Sequence, residues 1–124
     1  MHVKQRLFIP GPTPIPEAVQ AAMAKPMVYH RGPDFPDLLT GIVYDLQGVF
    51  PTSHEVFVLA TSGTGAMEAA VVNTFRRGDT AIVAHAGNFG TRWLKICNAY
   101  GIEIVSLEEP WGQPVHPDRV AEAL

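Results

Sequence analysis

Apolar positions along this chain alternate between two periods. Leu38, Leu39, Ile42, Val43, Leu46 and Val49 fall on one face at helical spacing, behind Asp34 as N-cap and Pro36 in the first turn, which predicts a long helix. Glu55 to Thr61 (EVFVLAT) is rich in β-branched and aromatic residues and reads as a buried strand. Met67, Ala70, Val71 and Thr74 then recur at i, i+3, i+4 and i+7 until Arg76, Arg77 and Gly78, which predicts a helix over Gly65 to Phe75 with a basic last turn and a glycine stop. A strand over Thr80 to Ala84, a helix from about Phe89 to Tyr100 stopped by Gly101, and a strand over Ile102 to Leu107 follow. Strand and helix alternating at this spacing imply an α/β fold with a mainly parallel sheet flanked by helices. A last helical pattern starts at Asp118 and reaches Leu124 before two full turns, so the chain is expected to end inside an element.

The first third lacks this regularity. Seven prolines lie between Phe8 and Pro36, and only Glu17 to Ala24 could form a short helix, so the segment is expected to be an extended arm. The expected division is an arm over 1–33 and an incomplete domain over 34–124.

Between the EVFVLAT segment and the following helix stands Ser62-Gly63-Thr64-Gly65. Its hydroxyls, its close-approach glycines and the free N–H groups of a helix N-terminus converge where an anion such as phosphate would sit. Taken alone, the segment serves equally well as a capped helix that binds nothing. Other glycine motifs fit poorly. A P-loop needs a Gly-Lys-Ser/Thr ending, and a dinucleotide turn needs a small residue where Glu68 stands. A nucleophile elbow needs glycines where Ala60 and Thr64 flank Ser62. The segment Gly87 to Trp93 (GNFGTRW) follows the next strand, at the carboxyl edge where α/β sheets bind ligands. Phe89 there could stack on a planar ring, or pack in the core.

Composition narrows the class. The chain has 124 residues, 47% hydrophobic, a formal net charge of −3 and one cysteine, consistent with a cytoplasmic protein without internal disulfides. No basic stripe suits nucleic acid, and no apolar run is long enough to cross a bilayer. His2, His30, His54, His85 and His116 show no metal-ligand spacing, and Cys97 reads as a buried small hydrophobe. Glu108 and Glu109, before Pro110, read as a solvated turn.

Four segments in order are more specific than any one: Pro10-Gly11-Pro12-Thr13-Pro14, His30-Arg31, Ser62-Gly63-Thr64-Gly65 with Met67-Glu68-Ala69-Ala70, and Gly87-Asn88-Phe89-Gly90-Thr91-Arg92. In these the chain resembles the N-terminal part of the class V aminotransferases, pyridoxal-phosphate enzymes of fold type I, in the alanine–glyoxylate and serine–pyruvate group. The resemblance implies the N-terminal part of that family's large domain, behind an arm. It places Thr64, Gly65 and Ala66 at the phosphate of pyridoxal 5′-phosphate, Phe89 on its ring and Gly11 near the substrate carboxylate. Tyr29 and His30 gain no catalytic role from it.

The resemblance also implies a homodimer acting on small amino acids and 2-oxo acids. The chemistry needs a covalently bound lysine and a carboxylate at the ring nitrogen, which in the family lie beyond the region matched here. Lys4, Lys25 and Lys95 are the lysines present, and none matches, so no catalytic residue is assigned and the 124-residue chain is expected to be inactive alone. Aminoethylphosphonate transaminases and cysteine desulfurases share much of this architecture, and a noncatalytic fragment acting through binding is the alternative from another class.

Overall fold

A computed structural model describes residues 7–124. Of the arm expected over 1–33, residues 1–6, Lys4 and His2 among them, lie outside the described residues. The chain divides by its contacts into two units, Met1–Phe57 and Val58–Leu124.

In the first unit, α1 (Glu17–Met23) and α2 (Phe35–Val49) form where short apolar periodicity and the Asp34/Pro36 start predict them. Asp34 occupies the N-cap position of α2, yet its side chain makes no cap hydrogen bond. Its backbone is helical at φ −83° and ψ −15°, whereas a capping carboxylate reaches the first-turn amides from an extended backbone. Neither helix buries a residue. Leu38, Leu39 and Ile42 are exposed on the predicted apolar face of α2, so its amphipathic stripe lacks a cover within its own unit.

The segment from Glu55 onward, expected as a buried strand, forms none, and Phe57, Val58 and Leu59 are exposed. A strand is defined by its ladder partner, and among the described residues the sheet consists of two other strands.

The second unit is a β-α-β unit with a helix before it and one after it. α3 (Gly63–Thr74) begins two residues earlier than its periodicity indicates, and β1 (Thr80–His85), α4 (Asn88–Tyr100), β2 (Glu103–Glu108) and α5 (Pro117–Ala123) follow. β1 and β2 pair in parallel, from Thr80 opposite Glu103 to His85 opposite Glu108. Asp79 at the carbonyl end of the α3–β1 turn accepts from the amide of Glu103 at 2.8 Å, and the Asp79 carboxylate accepts from the amide of Arg76 at 2.7 Å, which sets where the ladder starts. α4 stops at Gly101, left-handed at φ 71°, with the amide of Ile102 reaching back to the Cys97 carbonyl at 3.0 Å, the six-to-one bond of a glycine-terminated helix. At the far end, Arg119 of α5 donates to the Glu108 carbonyl at 3.0 Å and pairs with the Glu109 carboxylate. Glu109 is therefore a largely buried ion-pair partner, 12% exposed in its side chain, and not the solvated turn residue its position before Pro110 suggests.

The core consists of Val71, Ala81, Val83, Cys97 and Ile102, with Phe75, Trp93, Leu94, Ile96 and Ile104 against it. An apolar cavity of about 310 Å³ opens among α3, β1 and α4, lined by Val71, Phe75, Ala81, Val83, Trp93 and Cys97. Among the described residues no helix is long and apolar enough to cross a membrane.

Cys97 is buried, as expected, and burial raises its thiol above the ordinary value of 9.0. Below that value both folded and unfolded thiols are protonated, and the burial contributes fully to stability. As pH rises through it, the unfolded chain loses its proton first, so stability should fall until the folded thiol also ionises. Urea titrations at pH 7 and above pH 9 should show a lower midpoint at the higher pH. Cys97→Ala should reduce that pH-dependent loss, and an unchanged slope in the variant would remove Cys97 as its source.

Candidate functional site

The Ser62-Gly63-Thr64-Gly65 turn stands at the start of α3. Ser62, extended at φ −78° and ψ 167°, is the N-cap, and its Oγ accepts from the amide of Gly65. The amide of Ala66 closes onto the Ser62 carbonyl at 3.1 Å. Of the four first-turn amides, those of Gly63 and Thr64 thus face outward without a bonding partner among the described residues. The Gly65 amide is held only loosely, at 3.4 Å. Gly65 is required by space: a Cβ there would stand 2.0 Å from Thr61 Oγ1 and 3.1 Å from Thr61 Cβ. The Thr61 side chain therefore packs directly against the helix backbone and seats the turn.

A second helix start lies beside the first. α4 leaves the carboxyl end of β1 through Gly87, extended at φ 167° with no side-chain cap, and Thr91 returns its amide and its hydroxyl to the Gly87 carbonyl at 2.9 and 3.1 Å. Gly90, in the first turn, packs on His85: a Cβ there would meet His85 Cβ at 2.4 Å and His85 Cα at 3.0 Å. His85 is itself buried and shares a hydrogen bond between Nε2 and Ser106 Oγ at 2.9 Å. His85, the last residue of β1, held by Ser106 of β2, thus forms the floor on which the α4 start rests.

Phe89, second residue of α4, is 53% exposed, with the ring accessible as the stacking expectation requires. One side chain joins the two helix starts. Arg92 Nη1 donates to Thr64 Oγ1 at 2.6 Å, and the Arg92 guanidinium carbon stands over the Phe89 ring, 5.2 Å from its centroid. On the outer side, the Tyr100 hydroxyl donates to the Glu68 carboxylate, a second tie between α3 and α4 that holds the phenol above its ordinary range.

Of the sequence-derived candidates, Thr64, Gly65, Ala66 and Phe89 thus lie in the second unit around paired helix starts. Gly11 belongs to the first unit and has open space around it. Lys95 lies on α4 and is exposed. Among the described residues no three His, Cys, Asp or Glu side chains gather to hold a metal ion. Two side chains with no role in the sequence analysis belong to the site's framework, Arg92 and His85. Arg92 could have been flagged by its i+3 spacing from Phe89. Its contact with Thr64 spans 28 residues of sequence and has no local signal.

No protein-family model matches the chain. It is 42% identical, over 95% of its length, to 31% of the soluble hydrogenase small subunit of Synechococcus sp. (strain PCC 6716). Over its whole length it is 39% identical to 31% of the serine–glyoxylate aminotransferase of Hyphomicrobium methylovorum. Its backbone superposes on the crystal structure of the alanine–glyoxylate aminotransferase of Nostoc sp. with a TM-score of 0.82 and 31% identity, covering 93% of this chain and 31% of that one. The chain spans about a third of the length of the relatives it matches.

Proposed function

We propose, from the premise that this chain corresponds in sequence and fold to about a third of a class V aminotransferase, that it is the N-terminal portion of a pyridoxal-phosphate enzyme. The enzyme would move an amino group from alanine or serine to glyoxylate or pyruvate. The observation that carries the proposal is the pairing of the open α3 start with the exposed ring of Phe89 through Arg92. An anionic group and a planar ring on one ligand would be met there together.

The residues present fit that cofactor. Gly65 forms a cradle that a Cβ would fill, the outward amides of Gly63 and Thr64 and the Thr64 hydroxyl are donors suited to a phosphate, and Phe89 offers a face to the pyridine ring. In this reading Thr64, Gly65 and Ala66 hold the phosphate and Phe89 the ring. Gly11, on the arm over 1–33, would serve the substrate carboxylate. When bound, the cofactor supplies the electron sink that amino-group transfer requires.

The hydrogenase names carried by two relatives find no support in these residues. Iron–sulfur clusters are held by several thiolates, and this chain contributes one cysteine, Cys97, buried in the core. The exposed Phe57, Val58 and Leu59, the bare face of α2 and the open cavity beside β1 support a domain over 34–124 completed by further chain and by a second copy in a homodimer.

The test is to express the complete polypeptide that carries residues 1–124 and to assay transfer from serine and alanine to glyoxylate and pyruvate. The expected result is a protein that retains pyridoxal phosphate and transfers from one of these donors. Residues 1–124 alone should be inactive, because none of its lysines, Lys4, Lys25 and Lys95, matches the cofactor-binding lysine that the family resemblance requires. A complete protein that neither binds the cofactor nor transfers an amino group would refute the proposal. Desulfuration of cysteine or transamination of aminoethylphosphonate in place of these reactions would keep the fold and replace the substrate.

A further inference from the structure

We infer that Arg92 is a positioning residue for the cofactor phosphate, aiming the Thr64 hydroxyl proton at it and setting its distance from the stacking ring. The inference rests on the cofactor reading above. It starts from hydrogen-bond chemistry. A guanidinium carries donors only, so at 2.6 Å Thr64 Oγ1 must be the acceptor. The single proton of the Thr64 hydroxyl is then directed away from Arg92 and is free to donate to another oxygen. A charged donor on the oxygen also polarises that O–H, and charge-assisted bonds are the strong ones. In the first turn of α3 the hydroxyl stands with the outward amides of Gly63 and Thr64, so all three donors can serve one anion.

The charge on Arg92 is not spent locally. The ion pair found among the described residues is Arg119 with Glu109, and among them no carboxylate pairs with Arg92. Its positive charge therefore adds to that of the α3 start. The same guanidinium lies over one face of Phe89, a cation–π contact that steadies the ring and leaves the opposite face for a ligand. One side chain thereby fixes the spacing between the phosphate donors and the stacking surface. A lysine could supply the charge but not the planar fork that reaches a hydroxyl and covers a ring at once.

The experiment compares dissociation constants for pyridoxal 5′-phosphate and for pyridoxal, which lacks the phosphate, in the cofactor-freed complete polypeptide carrying residues 1–124. Arg92→Gln is expected to weaken binding of the phosphorylated form about tenfold or more, the range of a hydrogen bond to a charged group. Its affinity for pyridoxal should change no more than about twofold. Thr64→Val should show the same selective loss, and the double variant should lose less than the product of the two single losses, because Arg92 acts in part through Thr64. Arg92→Lys should restore part of the preference, and it carries the test if the glutamine variant does not fold. A wild-type preference for the phosphorylated form that survives Arg92→Gln, or single losses that multiply in the double variant, would overturn the assignment. A wild type that binds both forms equally would overturn the cofactor reading itself and the assignment with it.

Discussion

Gly90→Ala is expected to destabilise the second unit by about 3 kcal/mol or more, at the upper end of the cost of overpacking. The added methyl would stand 2.4 Å from His85 Cβ and 3.0 Å from His85 Cα. The second of these is backbone in the last residue of β1, so no rotamer change relieves the clash. Either α4 lifts off the sheet or the end of β1 moves, and the hydrogen bond between His85 and Ser106 is strained in both cases. Urea denaturation followed by far-ultraviolet circular dichroism gives the measurement. Gly63→Ala is the control, since a Cβ there meets nothing within 4 Å, and it should shift the midpoint little. His85→Ala should not rescue Gly90→Ala, because alanine keeps the offending Cβ, whereas His85→Gly should rescue it in part. A Gly90→Ala midpoint within error of wild type would mean that the α4 start does not rest on His85 as described.

Gly65→Ala is expected to abolish measurable cofactor retention in the complete protein while costing less stability than Gly90→Ala. Here the first obstacle is Thr61 Oγ1 at 2.0 Å, with Thr61 Cβ at 3.1 Å and Cγ2 at 3.3 Å. Thr61 can rotate its hydroxyl away, but its Cβ stays 3.1 Å from the added methyl, so the turn carrying the amides of Gly63 and Thr64, partnerless among the described residues, must shift. A site preorganised to about half an ångström loses its anion when that turn shifts. Thr61→Ala removes the two outer atoms and leaves the 3.1 Å contact, so the Thr61→Ala/Gly65→Ala pair should recover a substantial part of the lost affinity. Equilibrium dialysis against pyridoxal phosphate separates the outcomes. Full retention in the single variant would show that Gly65 is not needed for close approach.

The second unit was largely legible from the order of residues, because its elements are set by short-range physics. Gly101 stops α4 in the left-handed region that glycine occupies without strain, and the switches between alternating and helical spacing mark β1, α4 and β2 to within a residue or two. Asp34 shows the limit of that physics. Residue type licenses a cap, but the cap bond depends on a backbone conformation that the neighbouring chain imposes. The segment from Glu55 to Thr61 shows a deeper limit, since its composition favours a strand while strand formation depends on a neighbour elsewhere in the chain.

The candidate site divides in the same way. Its glycines, hydroxyls and lone phenylalanine were visible as motifs, since each follows from what a tight turn or a helix start demands of its own residues. That Ser62, read as able to cap a helix, does cap α3 was likewise a local matter.

By itself, the sequence determined the helices, the parallel strand pair, the position of the Ser-Gly-Thr-Gly turn and the likeness to aminotransferases, because propensity, periodicity and turn chemistry act over a few residues. Only the tertiary structure decided that Arg92 crosses 28 residues to bond Thr64, that His85 supports Gly90, that Glu109 is an ion-pair partner, and that the EVFVLAT segment stands unpaired. These depend on how helices and strands pack, and packing joins residues whose distance along the chain carries no record of their distance in space.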